Sequence, residues 1–144
     1  MSTAVQATPE VRSAPPLASA TRIATDGKFL RLGEDRFLVK GVTYGTFAPD
    51  PDGYQFPAFA RIAEDFALMA SLGINTVRTY TAPTRDLLDE AARHGLRVMI
   101  GLPWSQHVAF LDDRKLRRQI RNELVGRVAE LGDHPAVLAF AIGN

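Results

Sequence analysis

The chain has 144 residues, of which 46% are apolar, and this content is enough to build the core of one ordinary domain. With 17 Lys and Arg against 16 Asp and Glu, the charge gives no argument for a nucleic-acid or anionic-membrane partner. The absence of cysteine excludes disulfides and thiolate chemistry, and the three histidines, His94, His107 and His134, lack the spacing of metal ligands. We therefore expect neither a metal nor another cofactor.

Residues 1–22 are rich in Ala, Ser, Thr and Pro and carry neither a long apolar run nor a basic start. This composition predicts a disordered leader, not a secretory signal, and a cytoplasmic location. No stretch of the chain reaches the roughly 20 apolar residues that a membrane helix needs. Membrane association of a longer parent protein through other segments stays compatible with the sequence.

Short strands are predicted next. Residues 29–32 and 36–40 are strand-like, with Gly33-Glu34-Asp35 between them as a hairpin turn, and "GVTYG" (41–45) is a further short strand. The Pro, Asp and Gly of "APDPDGYQFP" (48–57) then predict a loop.

The remainder alternates between helix and strand patterns. The helices are "FARIAEDFALMASLG" with Gly73 just past its end, "TRDLLDEAARHG" with Thr84 as N-cap, and "DDRKLRRQIRNELVGRVAELG" with an apolar stripe of Leu116, Ile120, Leu124 and Val128. The strands are "INTVRTY", "LRVMIGLPW" and "AVLAFAIGN", and the last two are apolar on both faces. Such strands belong to a parallel sheet covered by helices.

Two architectures fit this β, α, β, α, β, α, β order. One is the first half of an eight-stranded βα barrel, and the other is a small, complete, doubly wound sheet with helices on both faces. The pattern by itself leaves both open.

In either architecture, working residues come from the carboxyl ends of the parallel strands. Arg78 is predicted on the inner face of its strand beside Tyr80, where it holds either an acidic structural partner or a substrate oxygen. The indole of Trp104 suits stacking on a sugar ring, although a loop Trp that caps the sheet is the alternative. The substrate-binding and supporting candidates are Tyr44, Arg78, Tyr80, Trp104, His107 and Asn144.

The basic run of Arg114, Lys115, Arg117, Arg118 and Arg121 is predicted to lie on a solvated helix face. No aromatic platform accompanies it, and no glycine-rich phosphate loop appears in the chain, so nucleotide and nucleic-acid binding are disfavoured. His94 and His134 fit as helix-end residues and receive no functional role.

Three stretches together resemble the catalytic domain of clan A glycoside hydrolases, in particular the β-galactosidase-like and β-glucan-acting branches. "RFLVKGVTYG" is similar to the entry into their (β/α)8 TIM barrel, "DFALMASLGINTVRTYTAP" to their first helix and second strand, and "HPAVLAFAIGN" to their fourth strand, which continues into Asn-Glu. The resemblance covers roughly residues 35–144, and it implies that residues 23–144 are the N-terminal half of such a barrel.

The resemblance also implies roles. Asn144 is expected to bind the 2-hydroxyl of the substrate, and Arg78 to keep a nucleophilic carboxylate ionised. The acid/base Glu is expected directly after Asn144 and the nucleophile on a later strand, so neither catalytic group is in this chain. The expected function is therefore that of an inactive piece of a retaining glycosidase or transglycosylase for β-linked glycans, fused to a larger polysaccharide-processing protein and prone to self-association through open sheet edges. The alternatives are a complete small binding or regulatory domain and a βα-barrel enzyme of unrelated chemistry.

Overall fold

A computed structural model describes residues 21–104 and 109–143. Its elements in chain order are β1 (Ile23–Asp26), β2 (Phe29–Leu32), β3 (Asp35–Phe37), β4 (Gly41–Tyr44), α1 (Phe59–Ser71), β5 (Thr76–Thr79), α2 (Arg85–Arg93), β6 (Arg97–Leu102), α3 (Arg114–Leu131) and β7 (Val137–Ile142). The alternation of helix and strand from β4 onwards is the predicted one. The predicted leader falls almost wholly on residues 1–20, outside the described residues.

The first three strands form an antiparallel sheet in the order β1-β2-β3. The predicted hairpin is present, with Gly33 at φ +63° in its turn, but β3 ends at Phe37 and is shorter than expected. Strand β1 was not predicted, and its signal is the Asp26-Gly27 pair, a dipeptide that favours tight hairpin turns. Asn75, just before β5, ties this sheet to the next, since its side chain donates to the Leu38 carbonyl and accepts from the Lys40 amide, each at 2.8 Å.

The last four strands form a parallel sheet in the sequential order β4-β5-β6-β7. Because register partners in neighbouring parallel strands share a face, Val77 and Val98 lie on one face while Arg78 and Met99 lie on the other. Val77 and Val98 are fully buried, whereas Arg78 and Met99 are half-buried. The two faces are thus covered to different extents.

All three helices contribute to a single core on the Val77 face. Apolar side chains of α1, α2 and α3 join the buried strand residues in one cluster, which includes Ile62, Phe66, Leu87, Leu88 and Leu131. A doubly wound sheet reverses its strand order and carries helices on both faces. The described strands show no reversal and the described helices cover one face, so the doubly wound alternative does not fit this part of the chain.

Helix ends follow the predicted chemistry, with one exception. Gly73 and Gly95 stand after α1 and α2 at φ +80° and +72°, and in each case the amides of the glycine and of the next residue close the last helical turn. Asp113 caps α3 by accepting from the amides of Lys115 and Leu116 at 2.8 and 3.0 Å. Thr84 is the N-cap of α2, as predicted, but its side chain makes no capping bond and its hydroxyl lies 3.3 Å from that of Tyr54.

The predicted apolar stripe of α3 is only partly inward-facing. Ile120 is buried and Leu116 and Leu124 are half-buried, but Val128 is 37% exposed. The basic run at the start of α3 is exposed, as predicted. No helix within the described ranges combines the length and the apolar character needed to cross a membrane.

Candidate active-site rim

The carboxyl ends of the four parallel strands meet at one edge of the sheet. We call this edge the rim and define it by residues 45–47, 80–82, 103–104 and 143, which directly follow the strands. In parallel α/β folds this edge is the usual place of ligand binding and catalysis. The rim residues include no Asp or Glu, so the rim supplies aromatic and hydrogen-bonding groups but no carboxylate.

Arg78 lies one residue before the end of β5, on the face that the helices leave uncovered. It is in register with Thr43 and Met99, and its guanidinium carbon lies 5.3 Å from the ring centroid of Tyr80. A cation over an aromatic ring at this distance is a favourable arrangement that also restrains the side chain. The predicted placement of Arg78 and Tyr80 on one face is confirmed, while their roles toward a substrate stay predictions.

Trp104 is held at the rim by contacts on two sides. Its ring meets Phe110 edge-on, with the centroids 5.9 Å apart, and the outer edge of the indole lies against the backbone of Gly143. Gly143 is itself fixed, because its amide donates to the Leu102 carbonyl at 3.1 Å. Trp104 is half-buried, so part of the indole is open to solvent.

A cavity of about 300 Å³ lies between the rim and α3. The rim side of this cavity is formed by Thr81, Ala82 and Trp104, and the helix side includes Glu123 and Arg127. Both charged groups already have partners within α3, since Glu123 accepts from Gln119 at 3.0 Å and Arg127 pairs with Glu130 at 2.9 Å. The rest of the lining is apolar and includes Leu102, Ile120 and Leu124.

Tyr44 has a different environment from the one its predicted role requires. It is buried under α1, its ring packs on Phe66 with the centroids 5.3 Å apart, and its hydroxyl donates to Asp65 at 2.8 Å. Burial, followed by this hydrogen bond, raises the pKa of Tyr44 well above its ordinary value. We assign Tyr44 to the core and leave it out of the proposed substrate surface.

Two of the six candidates, His107 and Asn144, lie outside the described residues, so their predicted roles remain predictions. The other two histidines have structural surroundings. His134 is buried, and both of its ring nitrogens have a partner. Its Nε2 lies 3.0 Å from Oδ1 of Asp89, and its Nδ1 accepts from the Ala136 amide at 3.1 Å. His94 directly follows α2, and its Nε2 lies 2.9 Å from Oε1 of Glu90 in that helix. Within residues 21–104 and 109–143 no cluster of potential metal ligands occurs.

Close packing at the rim depends on glycines that the sequence analysis did not single out. A Cβ on Gly101 would lie 2.5 Å from the carbonyl oxygens of Thr79 and Tyr80, so only glycine lets β6 approach β5 this closely. The sequence signal for this close approach of two strands is the isolated glycine inside the apolar strand "VMIGL". A buried arginine was also missed: Arg97, at the opposite end of β6, is 1% exposed, and burial lowers its pKa.

The described residues form a one-sided parallel βα sheet with a polar, aromatic rim, and this fold also occurs within solved structures of glycosidases. The solved structures that this chain resembles include glycosidases of low sequence identity. The chain matches a β-glucuronidase from Parabacteroides merdae with a TM-score of 0.69 and 21% identity, covering 86% of this chain and 15% of that one.

A β-glycosidase from Bacteroides vulgatus matches with a TM-score of 0.66 and 16% identity, over 86% of this chain and 16% of that one. An exo-β-1,4-mannosidase from Opitutaceae bacterium strain TAV5 matches with a TM-score of 0.53 and 20% identity, over 76% and 25%. The chain thus spans a small fraction of each of these proteins. No protein-family profile and no curated protein matches the sequence.

Proposed function

We propose that the chain forms the N-terminal half of a (β/α)8 catalytic domain of a retaining glycoside hydrolase or transglycosylase that acts on β-linked glycans. Sequential parallel strands with helices on a single face support the proposal, because a barrel needs both features. The glycosidase structures that share this part of the fold support the substrate class.

The observation that carries the proposal is the position of Arg78. Its face of the sheet is the one that becomes the interior of a closed barrel, and Arg78 stands near the rim with its guanidinium 5.3 Å from the Tyr80 ring. A retaining mechanism needs two carboxylates about 5–5.5 Å apart, one as nucleophile and one as acid/base. Arg78 is suited to hold the nucleophile ionised and oriented, because a guanidinium binds a carboxylate through a planar pair of N–H donors.

Both carboxylates belong to parts of the full barrel that follow residue 144. The acid/base is a Glu that directly follows Asn144 at the end of the β7 strand, and the nucleophile comes from the seventh strand of the full barrel. Asn144 binds the 2-hydroxyl, while Tyr80, Trp104 and His107 form part of the wall around the sugar. An aromatic wall of this kind stacks on the apolar face of a pyranose.

The test is the sequence and the activity of a longer protein from the same reading frame. We expect Glu at position 145 and hydrolysis or transfer of aryl β-glycosides. Replacing that Glu by Gln is expected to slow glycosides with poor leaving groups more than those with good ones, because only the former need protonation. A longer protein without a carboxylate within two positions of Asn144 would rule out the glycosidase assignment and favour a binding or regulatory domain.

A further inference from the structure

Five cations stand within the first eight residues of α3, and we call them the basic strip: Arg114, Lys115, Arg117, Arg118 and Arg121. All five are exposed, and no acidic residue lies between positions 114 and 122. None of the five has an ion-pair partner within the described part of the chain, whereas Arg61, Arg85 and Arg127 each have one. A net charge of +1 over the whole chain shows that this local excess is not a property of the overall composition.

The basic strip begins where the rim ends. A helix that follows a parallel strand starts at the carboxyl edge of the sheet, and here Phe110, four residues before α3, contacts Trp104 of the rim. The surface therefore continues from the indole of Trp104 through Phe110 to the first turn of α3. From Arg114 to Arg121 the helix rises roughly 10 Å, a length that suits a short oligosaccharide.

We propose that the basic strip binds an acidic polysaccharide, one that carries uronate carboxylates, as it leaves the rim. This inference rests on the proposed glycan-acting function and names its substrate class. Four of the five cations are arginines, whose planar fork matches a carboxylate. None of these donors is paired with an acidic side chain in residues 21–104 and 109–143, so ligand binding breaks no ion pair within those ranges.

Two other polyanions fit the structure less well. An anionic membrane is bound by helices that turn an apolar face to the lipid. In α3, Ile120 and Leu131 are buried, and the exposed Val125 and Val128 lie beyond the basic strip. Single-stranded nucleic acid is bound by basic grooves combined with aromatic stacking platforms. Beside the basic strip, Phe110 is engaged edge-on with Trp104, so one half-buried indole is left for stacking, whereas a strand of bases is tracked by several successive platforms.

The experiment is calorimetric titration of the 144-residue chain with oligogalacturonate and with a neutral cello-oligosaccharide of equal length. The test variant is Arg114→Gln/Arg118→Gln/Arg121→Gln. The matched control, Lys28→Gln/Arg36→Gln/Lys40→Gln, removes the same charge from exposed positions in and beside the antiparallel sheet. The single tryptophan of the chain, Trp104, gives a fluorescence signal for ligand at the rim.

We expect oligogalacturonate to bind in a salt-sensitive way, since exposed charges are screened by added salt, and to change Trp104 fluorescence. The test variant is expected to bind about tenfold more weakly, and the control to stay within about twofold of the wild type. The proposal is overturned if the two triple variants bind oligogalacturonate with equal affinity. It is also overturned if binding leaves the Trp104 fluorescence unchanged, or if the neutral glycan binds as tightly as oligogalacturonate.

Single-stranded DNA and phosphatidylserine vesicles test the two other polyanions. If either binds as tightly as oligogalacturonate and is lost in the same variant, the basic strip is a general anionic surface and the glycan assignment is wrong. The two proposals can fail separately. Glycosidase activity of the longer protein without strip-dependent binding refutes the acidic substrate alone, whereas absence of that activity refutes the catalytic function.

Discussion

Gly143 lies directly against the indole of Trp104, and its glycine identity is what permits the contact. A Cβ at position 143 would lie 2.8 Å from Cζ2 and Cζ3 of the indole, and the backbone there has φ +75°. Both features disfavour any other residue. The end of β7 thereby fixes the orientation of the aromatic side chain that follows β6, and so shapes the rim.

Replacing Gly143 by Ala is expected to displace Trp104. Overpacking against a side chain costs about 1–3 kcal/mol, so the free energy of unfolding should fall by that amount. The fluorescence emission of the single tryptophan should shift at the same time. Gly126→Ala is the matched control, because a Cβ there meets nothing within 4 Å and the change is expected to stabilise α3 by about 0.5–1 kcal/mol. Unchanged fluorescence in Gly143→Ala would contradict the contact.

Tyr44→Phe is expected to lower the free energy of unfolding by about 1–3 kcal/mol, because it removes the buried hydroxyl that donates to Asp65 at 2.8 Å. Chemical denaturation at neutral pH measures the loss. Tyr54→Phe is the control, since the contact of that hydroxyl with Thr84 is exposed and 3.3 Å long, and its effect should stay within about 0.5 kcal/mol. Equal effects of the two substitutions would show that the Asp65 bond does not stabilise the fold.

The raised pKa of Tyr44 also predicts how stability depends on alkaline pH. The phenol binds its proton more tightly in the folded chain than in the unfolded one, where its pKa is about 10. The stabilisation that the protonated Tyr44 phenol gives the folded chain is therefore complete below about pH 10, and it is lost as the pH rises through the folded-state pKa. Wild type should lose stability faster than Tyr44→Phe above about pH 10. Parallel stability curves for the two proteins would contradict this linkage.

Arg78→Lys tests the catalytic role of the arginine in the longer, catalytically complete protein. Removing one preorganised electrostatic group typically costs roughly 10²–10³ in kcat, and Lys cannot reproduce the planar fork. The measurement is kcat normalised to the folded fraction. A kcat within about threefold of wild type, which is under 1 kcal/mol of barrier, would leave Arg78 a structural residue.

Self-association of the 144-residue chain is expected from its sheet. Parallel sheets are normally covered on both faces, but in this sheet Thr43 is exposed and Arg78 and Met99 are half-buried. The edge strands β4 and β7 each have a single strand neighbour in the described sheet, so their outer edges are open to pairing. Light scattering over a range of concentrations measures the association. Ile142→Lys, at the 54% exposed end of β7, should weaken it, while Val125→Lys, 57% exposed on α3, should not. A monomer at all concentrations would contradict the expectation.

Local pattern was sufficient for most of the secondary structure. The period of the apolar residues identified α1, α2 and α3, and the capping residues placed their ends, because both depend on contacts a few residues apart. Strand β1 does not follow from the local pattern, because its sequence signal is the Asp26-Gly27 pair alone, and β3 is shorter than the pattern predicts. Short strands are stabilised by their partners, so their limits are set outside their own sequence.

The sequence by itself determined the βα alternation and the placement of Arg78 and Tyr80 on one face, since these follow from the periods of helices and strands. It determined the inward side of α3 only in part, because Val128 of the predicted stripe is 37% exposed. Tertiary structure decided that the strands lie in sequential order with all helices on one side, because neither strand order nor crossover direction is written in a local period. It also decided that Tyr44 is a core residue bonded to Asp65 and that Gly143 packs on Trp104. Those contacts join residues on different elements, and only the folded chain brings them together.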